Sequence, residues 1–442
     1  MVSFPKYESY QSTEEDWLGD IPQHWQLLRT KSIFRLVAEP APNNNDEELL
    51  SVYSDIGVKP RRELEERGNK ASTTDGYWLV KKGDIIVNKL LAWMGAIGLS
   101  EYDRVTSPAY DILRAYKPIN SKFYHYLFRN PICINKLKKH SKGIMEMRLR
   151  LYFDEFGNIK IPYPPLEDQN RIVKFLDRKT AEIDQAIEQK QRLIKLLKEQ
   201  KAILIDRSVT KGLNPNVRMR DSGIELIDKI PGHWKVARLK TLMKKMDQGW
   251  SPQCFNYPAD DDKWGVLKVG CVNGYQFSPN ENKVLPPNLK PIQDLELKHK
   301  DILISRANTL ELVGSAACAL NPREKLMISD KIFRVLVHET EVIPEYFILL
   351  LQVKIARRQI ESGANGASSS MQNIGRNVIR NLWMPIPPIK EQREILDFVT
   401  DFNEQQQQLV ISIVRESHAL RELKQIIIAQ SVTGKIKICS SY

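Results

Sequence analysis

Apolar residues recur at alternating steps of four and three over two long stretches of the chain. Starting at Ile172, the positions Ile172, Leu176, Lys179, Ile183, Ala186, Lys190, Leu193, Leu197, Gln200 and Leu204 are apolar seven times in ten. The same steps from Ile395 give Ile395, Val399, Phe402, Gln406, Leu409, Ile413, Glu416, Leu420, Leu423 and Ile427, apolar eight times in ten. Such a stripe predicts a coiled-coil helix in each place. The first stretch contains neither Gly nor Pro between Pro165 and Gly212, and it is rich in Lys, Glu, Gln, Leu, Ile and Ala, all compatible with helix. Gly212 followed by Pro215 predicts its stop. A helix of about 42 residues is about 63 Å long, too long to bury its stripe against one compact domain. Antiparallel pairing of the two helices is the economical solution; docking of each on another protein is the alternative. The lysine-rich face (Lys190, Arg192, Lys195, Lys198, Lys201) reads as solvated surface.

Between these stretches the pattern changes to short apolar runs in polar loops. LLSVY (Leu49 to Tyr53) and DIIVN (Asp84 to Asn88) predict strands, and SKFYHYLFRN (Ser121 to Asn130) predicts a helix. Later in the chain GVLKVG (Gly265 to Gly270), DILIS (Asp301 to Ser305) and KIFRVLV (Lys331 to Val337) predict strands, and a helix follows from Pro344. This is a mixed α+β pattern with long loops of the kind that present binding residues.

The two halves echo one another. DIPQHW (Asp20 to Trp25) returns as KIPGHW (Lys229 to Trp234), with Pro, His and Trp each displaced by 209. PPLEDQNRIVKFL (Pro164 to Leu176) returns as PPIKEQREILDFV (Pro387 to Val399), and SVTKG (Ser208 to Gly212) as SVTGK (Ser431 to Lys435), both displaced by 223. Weaker echoes pair KKGDIIVNK (Lys81 to Lys89) with KHKDILISR (Lys298 to Arg306), and YDILR (Tyr110 to Arg114) with KIFRV. Three matches in one order point to an internal duplication, with 14 extra residues in the second globular region. The implied segments are 1–165 (globular), 166–211 (long helix), 212–388 (linker and globular) and 389–437 (long helix).

Composition narrows the function. A chain of 442 residues with 42% hydrophobic and 27% charged residues has the balance of a folded protein of two or more domains. Its net charge of +12 favours polyanions, nucleic acid first. No apolar run is long enough to span a bilayer, and no secretory signal is visible. The five cysteines are scattered without a CxxC pair, which indicates neither a zinc site nor a disulfide framework and fits a cytoplasmic setting. There is no GxxxxGK[ST] phosphate loop and no [ND]PP[FYW] string of the kind an amino-methyltransferase uses. Asp260-Asp261-Asp262-Lys263 reads as a surface turn rather than a nuclease site. His24 and His233 read as packing or capping residues, with no nucleophile beside them. The chain is expected to have no catalytic centre and no metal site.

The IPQHW and IPGHW strings, the two Pro-Pro exits and the joint VTKGLNPNVRMRDSGIEL (Val209 to Leu226) together resemble the DNA-specificity subunit of type I restriction-modification systems. The resemblance runs over nearly the whole chain in the family's order. It implies an α+β fold: two similar mixed α/β target recognition domains, a coiled-coil spacer of two long antiparallel helices, and an internal pseudo-twofold repeat. It implies recognition of a split sequence in double-stranded DNA. It also implies assembly with two DNA adenine methyltransferase subunits, which carry S-adenosylmethionine, and with restriction subunits that translocate and cut; this chain would hold no cofactor. A cytoplasmic bacterial or archaeal setting follows. Two other readings stay open: an interaction scaffold with an incidental basic surface, and a self-sufficient enzyme.

Candidate DNA-contacting residues come from loops at strand ends, where Arg, Lys, Asn and Gln can address bases or phosphates. In the first globular region these are Tyr53, Arg61, Arg62, Lys89, Trp93, Met94, Arg148 and Arg150. In the second they are Gln248, Trp250, Ser251, Lys268, Asn273, Arg306, Asn308, Ser370, Gln372 and Asn373. The loops before the exits differ most: KGIMEMRLRLYF (Lys142 to Phe153) alternates arginine with apolar residues, whereas SGANGASSSMQNIGRN (Ser362 to Asn377) is small and polar. That difference argues against transferring positions from one loop to the other.

Overall fold

The computed structural model describes residues 4–64, 74–144, 149–368 and 371–439. The chain divides into two compact units: Met1–Gln191 with Ile413–Tyr442, and Arg192–Ser412. Each unit therefore contains one globular region, the start of the long helix that leaves it, and the end of the other long helix.

In the first unit the chain enters through a short ribbon, Tyr10–Gln11 against Ile21–Pro22. Gln26–Arg29 then pairs antiparallel with the exit strand Lys160–Tyr163, which closes the globular region where it opened. Inside lies an antiparallel sheet in the order Phe34–Val37, Tyr110–Ala115, Ile85–Asn88, Ile97–Leu99. A second four-stranded sheet runs Gly57–Pro60, Leu49–Tyr53, Arg104–Thr106, Trp78–Val80, with its central pair parallel. Helix Ser121–Phe128 is capped by Asn120, and helix Pro131–His140 by Asn130 with Pro at its first position, a favoured start. Phe123, Tyr124 and Phe128 of the first and Cys133 and Leu137 of the second share one core with Trp25 and Phe34 and with Ile172, Leu176, Ile427 and Val432 from the two long helices.

The second unit repeats this plan. Met219–Arg220 pairs with Ile230–Pro231, and Lys235–Arg238 with the exit strand Trp383–Ile386. The antiparallel sheet has the equivalent order Met243–Gln248, Ile332–Val337, Asp301–Ser305, Ala316–Ala319. An arginine approaches the buried aspartate in both units, though from positions two residues apart in register. Arg114 grips Asp84 with two bonds of 2.9 and 2.8 Å, and Arg334 lies 3.7 Å from Asp301. Each aspartate also accepts a backbone N–H from three residues upstream at 2.8 Å, from Lys81 and Lys298. The repeated Lys-x-x-Asp strings thus build turns that enter a central strand. The internal repeat expected from the offsets is present as a repeated architecture.

The long helices are Leu166–Lys211 and Ile389–Val432. In the first unit they run antiparallel: Lys190 meets Glu416 at 2.5 Å, and Asp184 meets Lys424 at 2.6 Å. In the second unit Gln200 accepts from Gln406 at 3.3 Å, while Ile205 and Val209 share a core with Ile395 and Val399, the same antiparallel sense. The seam departs from the expected stripe by one residue at several positions. Ile183, Leu197 and Leu204 face inward as expected, but Ile187 is buried more deeply than Ala186, and Ile194 and Lys201 replace Leu193 and Gln200. Lys190 and Lys201, read as solvated, are half-buried along the seam, whereas Arg192, Lys195 and Lys198 are exposed. On the partner helix Val410, Ser417 and Lys424 face inward in place of Leu409, Glu416 and Leu423. Leu193, Leu409 and Leu423 are turned out to solvent.

Candidate nucleic-acid interface

Both IPxHW strings close on the first turn of the long helix leaving their own unit. In the first unit the Asp168 carboxylate accepts from the Trp25 indole N–H at 3.0 Å, lies 2.7 Å from His24 Nε2, and pairs with Arg171. In the second unit Glu391 accepts from Trp234 at 2.9 Å and lies 2.5 Å from His233 Nε2. A carboxylate in the first turn also suits the positive end of the helix. The neighbouring glutamines act alike. Gln169 donates to Pro164 O at 2.8 Å and accepts from Asn120 N at 2.9 Å. Gln392 donates to Pro387 O at 2.9 Å and Glu341 O at 3.0 Å, and accepts from Ile343 N at 2.9 Å. These histidines and tryptophans fasten the fold, as capping and packing residues.

The incoming helix ends on the same clasp. Gly434 and Gly212 both adopt positive φ, and each backs onto the Pro and Trp of an IPxHW string. In the first unit Lys437 N donates to Pro5 O at 2.7 Å, so the N-terminal segment lies beside the end of the second long helix. Ser3 and Ser440, natural positions for a proximity probe, fall outside the described residues.

The candidate loops follow inner strands of the antiparallel sheets. In the first unit Ile85–Asn88 runs into Lys89, whose carbonyl accepts from Leu151 N at 2.9 Å. Leu151 follows a hairpin closed by Lys142 and Arg150. In the second unit Asp301–Ser305 runs into Arg306, whose carbonyl accepts from Ile374 N at 2.9 Å, and Ile374 follows a hairpin in which Asn365 pairs with Asn373. Lys142 and Asn365, Arg150 and Asn373, and Leu151 and Ile374 are all separated by 223. The two hairpins are therefore equivalent in register, although their sequences differ. The shared backbone bonds align the ends of the two loops, while the side chains at the aligned positions remain unlike.

The candidate residues of the first unit fall into two groups. Lys89, Trp93, Met94 and Arg150 lie on the edge made by the strand-end loop and the hairpin. Lys89 pairs with Asp111 at 3.1 Å, the Trp93 N–H is bonded to Leu90 O at 2.9 Å, and Met94 and Arg150 are exposed. Tyr53 is tied to that edge through Arg129, which donates to the carbonyls of Tyr53, Gly95 and Ile97 at 3.1 to 3.2 Å. Arg61 and Arg62 begin a turn at the other end of the Leu49–Tyr53 strand pair, and Arg62 forms an ion pair with Glu48 at 2.6 Å. Arg148 lies outside the described residues.

In the second unit Asp330 organises three of the candidates. Gln248 donates to its carbonyl at 3.0 Å and Arg306 at 3.3 Å, while Ser251 donates to its carboxylate. Asp330 carried no signal in the sequence. Asn308 stands opposite Gln372 in a strand pair, Asn373 stands opposite Ala307, and Asn308 donates to Asn273 at 3.2 Å. These amides thus form one polar edge. Trp250 instead packs on the core of Val266, Leu285 and Met327, and Lys268 precedes the turn Val269–Tyr275. Ser370 lies outside the described residues. The Asp260 carboxylate is paired with Lys263 at 2.6 Å. Among the described residues no group of His, Cys, Asp and Glu is placed to hold a metal, and no helix is long and apolar enough to cross a membrane.

The family model described as "Type I restriction modification DNA specificity domain" matches residues 22–196 and 231–411, one match for each repeat. The chain belongs to this family. It is 30% identical over 211 residues to the type I restriction enzyme EcoEI specificity subunit of Escherichia coli, covering 48% of this chain and 35% of that one. The chain thus spans about a third of that relative's length. It is 22% identical over 432 residues to the MjaVIII specificity subunit of Methanocaldococcus jannaschii, covering 95% and 94%. A solved structure from work on complex assembly and conformational transition of the type I R-M system is similar with a TM-score of 0.68 at 16% identity, covering 93% of this chain and 98% of that one. The HsdS subunit of Thermoanaerobacter tengcongensis gives 0.53 at 16% identity, covering 94% and 98%. The specificity subunit is a sequence-recognition component of the restriction-modification enzyme; catalysis belongs to separate subunits.

Proposed function

We propose that this specificity subunit reads a bipartite sequence in double-stranded DNA, one half through each unit, within residues 1–165 and 212–388. The observation that carries the reading is a repeated scaffold ending in equivalent hairpins of unlike chemistry, Lys142 to Arg150 and Asn365 to Asn373. A shared frame with exchanged contact residues is what two different half-sites require, as in readers that address paired half-sites. The proposed contacts are Tyr53, Arg61, Arg62, Lys89, Trp93, Met94, Arg148 and Arg150 for one half. For the other they are Gln248, Trp250, Ser251, Lys268, Asn273, Arg306, Asn308, Ser370, Gln372 and Asn373.

The partners in this reading are two adenine methyltransferase subunits, which supply S-adenosylmethionine, and restriction subunits that translocate and cut, all in the cytoplasm of a bacterium or archaeon. Apolar side chains turned outward on the long helices support protein docking there: Leu193, Leu196, Ile203 and Leu409 in the second unit, Val414, Leu423 and Ile426 in the first. The test is to map methylated adenines in cells carrying the intact system, then again after residues 26–163 are replaced by the corresponding segment of a relative. One half of the methylated sequence should change. A change in both halves, or methylation by the isolated chain, would overturn the proposal.

A further inference from the structure

The edge of the first unit that carries Lys89 and Arg150 is apolar to an unusual degree. Leu90, Leu91 and Met94 in the strand-end loop are 43%, 42% and 50% exposed, and Ile144 in the hairpin is fully exposed. Single exposed apolar residues need no explanation, but these four lie on two segments joined by the Leu151 N to Lys89 O bond. Folding does not require them outward: Ala92 of the same loop is buried, and Gly95 at positive φ turns the chain back against Ile134. The surroundings are basic. Among the described residues from Pro131 to Tyr152 there are five Lys and Arg and no Asp or Glu. Lys136 and Lys142 are paired with Glu15 and Glu155, and Lys138 Nζ sits 5.4 Å over the Trp93 ring. Protein-binding patches are depleted in lysine, whereas an apolar patch set among cations matches a duplex: phosphates outside, and in the major groove one apolar group, the thymine 5-methyl. The equivalent edge of the second unit also exposes Leu310 and Met371, but it sets them among the amides of Asn273, Asn308 and Gln372.

We propose that the first unit reads its half-site in part through thymine methyl groups, which pack on Leu90, Leu91, Met94 and Ile144. The second unit relies more on amide hydrogen bonds to base edges. The inference rests on the bipartite reading given above. The atoms available decide the chemistry: aliphatic side chains offer no donor or acceptor to a base edge, so discrimination must come from shape and the burial of methyl groups.

The experiment uses the full chain with its methylation subunits and the duplex defined by methylation mapping. Thymines in the half assigned to the first unit are replaced one at a time by deoxyuridine, which removes only the methyl group. Affinity should fall roughly three- to tenfold at each contacted position, in line with the loss of a buried methyl, and less in the other half. The quadruple variant Leu90→Ser, Leu91→Ser, Met94→Ser, Ile144→Ser should bind thymine and deoxyuridine duplexes equally, at the lower affinity. It should keep its selectivity for the second half, which also shows that it folds. Equal binding of both duplexes by the unaltered protein would overturn the proposal, as would a variant that retains the discrimination or loses only its methylation subunits. Failure of the complex to select any sequence would instead sink the bipartite reading, and this inference with it.

Discussion

Asp168 shows how one side chain can join distant parts of the sequence. Its side chain is 5% exposed, and it serves Trp25, His24 and Arg171 together. Burial alone would raise its carboxyl pKa, but the bonds from His24, Trp25 and Arg171 outweigh this and hold it below the ordinary aspartate value. A depressed pKa means stability that is present above the unfolded value, near 3.9, and is lost as pH falls through the folded one. Replacing Asp168 with Ala should cost about 2–3 kcal/mol, because the buried indole N–H loses its acceptor. Glu391→Ala should cost about 1–2 kcal/mol, since that carboxylate is 31% exposed. Urea unfolding at pH 7, with amide exchange to locate the opening, checks both. Similar losses for the two variants would contradict the burial argument. The partner was legible in part: Asp168 and Glu391 share the 223 offset of the glutamines beside them, but their unlike side chains concealed the match.

At the level of elements, the two glycines at the helix ends make a second test. Both have positive φ, +73° at Gly434 and +76° at Gly212, and so are costly to replace. A Cβ on Gly434 would come within 2.3 Å of Pro22 Cδ, whereas one on Gly212 would meet Trp234 Cζ2 no closer than 3.2 Å. Gly434→Ala should therefore destabilise by roughly 3 kcal/mol and Gly212→Ala by about 1–2 kcal/mol, read from shifts in urea midpoint. Equal shifts would mean that φ alone decides the cost. The long helices and most strands were legible because their periods are strong. The seam was not fully legible, because apolar residues stand at both candidate positions in places, as with Leu193 and Ile194 or Leu409 and Val410. Leu423 fits the stripe by composition, yet Lys424 beside it occupies the seam. Pairing with a second helix fixed the rotation, and the sequence of one helix does not contain that information. The equivalence of the two hairpins was hidden for a related reason: it resides in backbone bonds from Leu151 and Ile374, which leave no mark on side-chain identity.

For the whole molecule, charge and sequence reading can be separated. The net charge of +12 favours any duplex through release of condensed counterions, and this term carries no base information. In the proposed reading the base information comes instead from contacts to base edges, which release few counterions. The full chain with its methylation subunits should therefore bind its target and a duplex with one half scrambled with nearly the same slope of log affinity against log salt. The scrambled duplex should be weaker by at least about tenfold at every salt concentration. Arg150→Ala separates the roles further: a phosphate contact would make the slope shallower by about one unit for all sequences, while a base contact would relax selectivity at one position. Titration of both duplexes across salt concentrations decides between these outcomes. If scrambling either half left affinity unchanged, the repeated scaffold would have no reading function, and the basic surface would be no more than a generic attraction to DNA.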